Sequence, residues 1–83
     1  MVMGEVLDLR DVFEKSGRRT LQVETKYGEV LQGKFIIVDF YSGRQGTFRK
    51  ITDLQAYQES CGLRGVLELT LHAIDIRAWR IID

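Results

Sequence analysis

The chain has no proline, one cysteine, one histidine and no excess charge of either sign. A single cysteine, Cys61, excludes an intrachain disulfide. One cysteine and one histidine, His72, cannot build a Cys/His zinc cage. Twelve basic residues balance twelve acidic ones, so bulk attraction to a polyanion is excluded as a driving force. A small, focused nucleic-acid site stays open. Apolar runs stop far short of the ~20 residues needed to span a bilayer. No basic, apolar, small-residue leader stands at the start, so the expectation is a cytoplasmic chain with no membrane partner. Catalytic patterns are scarce too. No Ser/His/Asp or Cys/His set has a persuasive spacing. The pieces Gly43-Arg44-Gln45-Gly46 and Gly62-Leu63-Arg64-Gly65 lack the strand-to-helix setting of a phosphate cradle. The expectation is no enzyme, no cofactor and no metal site.

What is present is one small domain over residues 1–83. A domain of this size buries only roughly 60–65% of the surface its unfolded chain exposes. With no disulfide or metal to staple it, association with further copies is the remaining common route to stability.

Periodicity sets the elements. Val6, Leu9, Val12 and Phe13 form an apolar stripe at helical spacing, so Gly4 to Ser16 is expected to be a helix ended by Gly17. A strand over Glu5–Leu9 is the competing reading. Thr20 to Tyr27 alternates polar and apolar residues, which predicts a half-buried strand. Gly28 and Glu29 make a turn. The second strand runs from Val30 to about Phe40. Its Phe35–Val38 stretch is apolar on both faces, which calls for burial on both sides or strong curvature, and Gly33 permits the curvature. Ser42 to Gly46 is a loop. A third strand starts at Thr47 or Phe48, and its alternation slips before Ile51. The slip predicts a bulge, or a switch into a short helix over Asp53–Glu59. Gln58 to Gly62 reads as a turn. Leu67, Leu69, Leu71 and Ala73 make one face of a fourth strand. A turn near Arg77-Ala78 and a last strand from Trp79 to Ile82 complete the chain. A helix followed by five short strands fits a small SH3-like or OB-type barrel.

One run now stands out. Gly28, Gly33, Asp39, Tyr41 and Gly43 punctuate the second strand and its loop at intervals of five, six, two and two. This pattern resembles the first motif of the Sm-like (LSm) family: glycine, glycine, acid, aromatic or histidine, and asparagine. Gly43 stands where the family has asparagine. The family's second motif, Ile-Arg-Gly, is matched by topology at Ile76-Arg77-Ala78 and by letters at Leu63-Arg64-Gly65, so Arg77 and Arg64 both remain candidates. The resemblance covers roughly residues 5 to 82. It implies an N-terminal helix followed by a five-stranded, strongly bent SH3-like barrel. It also implies a homo-oligomeric ring of about five to eight subunits, strand four of each pairing with strand five of the next, which closes exposed edges. It implies single-stranded RNA binding, with a base stacked on Tyr41, the pocket held by Asp39, and Arg77 packing on or contacting the base. The glycine at 43 has no amide to read a base edge, so relaxed base preference or no RNA binding is expected. Stacking tolerates any base.

Each candidate also has a plainer reading. Asp39 closes the strand in an Asx turn. Tyr41 packs on a rim. Arg44 and Arg49 are solvated charges rather than phosphate contacts. Arg77 pairs with Asp75 or Asp83. Trp79 is core or interface, His72 is surface or interface, and Cys61 is inert. Three functions therefore stand: an Sm-like RNA-binding ring, a structural or protein-interaction oligomer without nucleic acid, and an OB-type single-stranded DNA binder.

Overall fold

A computed structural model describes residues 7–83. Helix α1 (Leu9–Ser16) precedes strands β1 (Leu21–Thr25), β2 (Val30–Val38) and β3 (Gln45–Ile51). Helix α2 (Leu54–Glu59) leads into β4 (Val66–His72), a 3-10 turn (Ala73–Asp75) and β5 (Ile76–Ile81). The five strands form one antiparallel sheet in the order β4-β3-β2-β1-β5. It is a four-strand meander whose fifth strand returns beside the first. The sheet is not closed: β4 and β5 lie at its two edges.

α1 starts and stops for local reasons. The Asp8 carboxylate accepts the Arg10 N–H at 2.9 Å and caps the start. Gly17, at φ +56°, ends the helix with its N–H on the Phe13 carbonyl. Leu9 and Val12 are buried, and Phe13 is half-buried. The expected residues Gly4–Val6 lie outside the described residues. The helix begins at Leu9, so Leu9 does not end a strand as the competing reading had it.

β2 organises the sheet. Its first half pairs with β1 and its second half with β3. Gly33 alone belongs to both ladders, opposite Leu21 on one side and Lys50 on the other. A Cβ on Gly33 would collide with the Arg49 carbonyl, so only glycine lets β3 approach there. Beyond it the strand carries a bulge at Ile36, because Phe35 faces Phe48 and Ile37 faces Thr47. The extra residue shifts the phase, and Phe35 and Val38 both reach the core while Ile37 is exposed. The two-faced apolar run is thus resolved by a bulge in β2. The slip after Phe48 is resolved by α2, capped by the Asp53 carboxylate on the Ala56 N–H at 3.1 Å.

The core joins α1 to the sheet through Leu9, Val12, Leu21, Val23, Phe35 and Phe48, among others. Phe35 and Phe48 meet edge to face with centroids 5.0 Å apart. Along β4 the expected face is only partly covered: Leu71 is buried and Leu67 is exposed. The last connection departs from expectation. The turn lies at Ala73–Asp75, and β5 starts at Ile76 rather than Trp79. Arg77 is therefore inside a strand. No helix among the described residues is long and apolar enough to cross a membrane.

Candidate functional site

The loop from Asp39 to Arg44 joins β2 to β3 and carries three of the singled-out residues. Asp39 shapes it. One carboxylate oxygen accepts the Tyr41 N–H at 2.9 Å, and the other accepts the Ser42 hydroxyl at 2.8 Å. The Gly43 N–H returns to the Asp39 carbonyl, and the Asp39 N–H donates to the Gln45 carbonyl at 2.8 Å. The Tyr41 N–H bond to the carboxylate closes an Asx turn, and the backbone bonds close the loop around it. The Ser42 hydroxyl first, then the Tyr41 N–H, hold the Asp39 carboxyl below its ordinary range. With both oxygens engaged inside the loop, Asp39 acts on loop shape.

Tyr41 is the outermost point of this turn. Its side chain is 96% exposed, so it does not pack on a rim. Phe40 beside it is also exposed, yet it meets Phe13 of α1 edge to face, centroids 5.6 Å apart. Gly43 has φ +68°, a left-handed conformation that glycine adopts at little cost. A Cβ there would collide with the Asp8 carboxylate and come within 2.9 Å of Arg10 Nε.

The 3-10 turn gathers neighbouring connections. The Ala73 N–H donates to the Arg44 carbonyl, and the Lys26 N–H to the Asp75 carbonyl, each at 2.8 Å. Lys26 also pairs with the Asp75 carboxylate at 3.1 Å. The β2–β3 loop, the β1–β2 turn and the β4–β5 turn thus meet at one end of the sheet.

No family model matches the chain, and no curated protein matches it in sequence.

The two candidate arginines separate cleanly. Arg77 follows the 3-10 turn by two residues and is the extra residue of a bulge, since Glu24 faces Ala78 and Thr25 faces Ile76. Its guanidinium lies 3.6 Å from the Glu24 carboxylate, not on Asp75 or Asp83. It lines an open groove with Leu7, Asp8, Asp11 and Trp79. That groove borders the residues clamping the Tyr41 loop, although the recorded bonds of Arg77 do not reach the loop itself. Arg64 sits after α2, its N–H on the Ser60 hydroxyl at 2.8 Å. It belongs to the far end of the β3–β4 hairpin, where Ile51 faces Val66; the loop end is where Gln45 faces His72. Six residues of strand put about 20 Å between those ends. Within one chain, Arg64 and Tyr41 lie at opposite ends of the sheet.

Other residues take plainer places. Arg49 is held by Glu68 at 2.8 Å. Arg44 and His72 are exposed. Trp79 is half-buried against the core, and Cys61 is exposed in a turn with φ +55°. Among the described residues, no group of three or more His, Cys, Asp or Glu side chains is placed to hold a metal ion.

Sequence reasoning missed Asp8, Arg10 and Ser42. The acid before the helix was a readable capping signal. Nothing local in the sequence points Arg10 at a loop thirty residues away.

Proposed function

We propose that this chain is a subunit of an Sm-like ring, a non-enzymatic scaffold that binds single-stranded RNA by stacking a base on Tyr41. The observation that carries the RNA reading is the exposure of Tyr41 at the tip of a loop stiffened by Asp39. An exposed aromatic on a turn whose backbone is held is a stacking platform: the backbone is already ordered in the free protein, and only the side chain is ordered on binding. The ring reading draws on the two open edges. Among the described residues no strand pairs with the outer edge of β4 or β5, and pairing β4 of one copy with β5 of the next satisfies both rows of backbone groups. In this reading the close approach at Gly33 and the bulge at Ile36 are where β2 would curve toward the SH3-like barrel of the resemblance. Arg77, beside the 3-10 turn, is the second-motif arginine.

Tyr41→Ala tests the RNA site. The expected loss of affinity for an oligouridylate is about 5- to 150-fold, since one stacked base is worth roughly 1–3 kcal/mol. Folding stability should stay within about 0.5 kcal/mol, because so exposed a side chain packs on little. Wild-type affinity in that variant removes the stacking site.

A second reading is an oligomer that binds no nucleic acid. Position 43 favours it, because glycine there offers no side-chain amide and the adjoining space is filled by the Asp8 and Arg10 side chains. Absence of binding to uridine-rich and adenine-rich oligonucleotides at low salt would select it. The OB-type reading is split by the two helices: α1 counts against it, and α2 between β3 and β4 is where it expects one.

A further inference from the structure

The Tyr41 loop is held by residues outside it. Arg10 Nη1 donates to the carbonyls of Phe40 and Tyr41 at 3.2 and 3.4 Å. The other edge of the same guanidinium is fixed by Asp8. Nε donates to Oδ1 at 3.0 Å, and Nη2 to Oδ2 at 2.8 Å. Asp8 is itself anchored as the helix cap. The backbone adds a parallel tie, from the Leu9 N–H to the Gly43 carbonyl at 2.9 Å. One turn further on, Phe13 meets Phe40.

Gly43 completes the arrangement. The space a side chain at 43 would need is taken by the Asp8 carboxylate and Arg10 Nε. A planar fork held at one edge by a carboxylate presents its remaining donors in a fixed direction. Here they point at two successive loop carbonyls.

We propose that the Asp8–Arg10 pair positions the Tyr41 loop, its side chains occupying the space that a residue larger than glycine at 43 would need. Arg10 contacts only loop backbone, so it is a positioning residue. Its effect on RNA rests on the reading of Tyr41 as the stacking site; its effect on loop order does not. The pair is solvent-exposed and screened by salt, so its effect is moderate.

The test compares wild type, Arg10→Ala, Arg10→Lys and Asp8→Asn in two measurements. The first is amide hydrogen exchange. The Gly43 N–H reports the loop, and the N–H of buried Val23 reports the whole fold. Expected is a rise of about 3- to 10-fold at Gly43 in all three variants, with Val23 changed less than about twofold. Lysine keeps the charge but cannot reproduce the fork. Asparagine keeps the cap and most of the volume, so Asp8→Asn decides the matter if Arg10→Ala loosens the whole fold. The second measurement is binding of a fluorescein-labelled oligouridylate. Arg10→Ala should weaken it by about 3- to 10-fold in the chain with Tyr41, and should have no further effect in Tyr41→Ala.

Unchanged Gly43 exchange in Arg10→Ala and Asp8→Asn overturns the proposal, whatever the RNA result. Equal weakening with and without Tyr41 also overturns it, because Arg10 would then contact RNA itself. If wild type binds no oligouridylate, the stacking reading fails, and the exchange result alone decides the positioning role.

Discussion

β3 is flanked by two connections that are both tied internally, and among the described residues only one of them is also braced from outside. The 39–44 loop is braced from a distance, by Arg10 and Leu9 of α1 and by Ala73 of the 3-10 turn. The 52–65 connection is mostly tied to itself. Asp53 caps α2, the Ser60 hydroxyl bridges the Ala56 carbonyl and the Arg64 N–H, and the Thr52 N–H reaches the Gly65 carbonyl at 2.7 Å. Both carry exposed apolar side chains, Phe40 and Tyr41 in one, Leu54 and Leu63 in the other. The difference is therefore in support, and support separates a closed turn from a platform. A locally tied connection can open without disturbing the sheet. A loop braced by a helix and a second turn keeps its shape as long as the fold does.

That contrast breaks first at the residue both ends depend on. Gly33→Ala drives a Cβ into the Arg49 carbonyl within the ladder shared by β2 and β3. A loss of about 3 kcal/mol is expected by urea denaturation, with both connections losing amide protection together. Gly65→Ala comes next. Gly65 has φ +72°, and its Cβ would meet the Asp53 carbonyl and the Tyr57 nitrogen, which are backbone and cannot turn aside. About 2 kcal/mol is expected. Gly43→Ala, at a similar φ of +68°, meets side chains of Asp8 and Arg10 that can rotate away. About 1 kcal/mol is expected there, together with selective loosening of the Tyr41 loop. Equal losses at 43 and 65 would erase the distinction between the two connections.

The smallest effect is in pH. Arg10 holds the Asp8 carboxyl below its ordinary value of 3.8, and the bonds from Ser42 and Tyr41 do the same for Asp39. A depressed carboxyl pKa stabilises the fold above the unfolded value and loses that contribution as pH falls through the lower, folded value. Gly43 protection, corrected for intrinsic exchange, should be level from about pH 7 to about pH 5. It should decline relative to Val23 below about pH 3.8. A decline beginning near neutral pH would assign the clamp to other groups.

Much of this was legible in the chain, element by element. The alternation of Leu21, Val23 and Thr25 marks a half-buried strand, and all three are buried. Gly17 ends α1, and Asp53 starts a helix that the broken alternation after Phe48 had announced. The start of β5 was misplaced because Ile74, Ile76 and Trp79 are apolar in an irregular phase. A 3-10 turn and a bulge at Arg77 both shift the register there, and neither has a strong local signature. Within the site, Asp39 and Tyr41 stand out by spacing. The loop expected at Ser42–Gly46 lies earlier, between the end of β2 at Val38 and the start of β3 at Gln45, because the backbone ladder of β3 takes in Gln45 and Gly46. The brace was not legible, because Arg10 and Phe40 are brought together by the packing of α1 on the sheet. Arg64 shows the converse: its letters fit a motif, and the topology places it at the end of the β3–β4 hairpin away from Tyr41.

In the proposed assembly, copies join edge to edge into a ring. Native mass of the purified protein, taken before and after nuclease treatment, tests it most directly. The account predicts a closed species of about five to eight copies of the 9.6 kDa chain, losing mass to nuclease where RNA is bound. A monomer or dimer at all concentrations would contradict it.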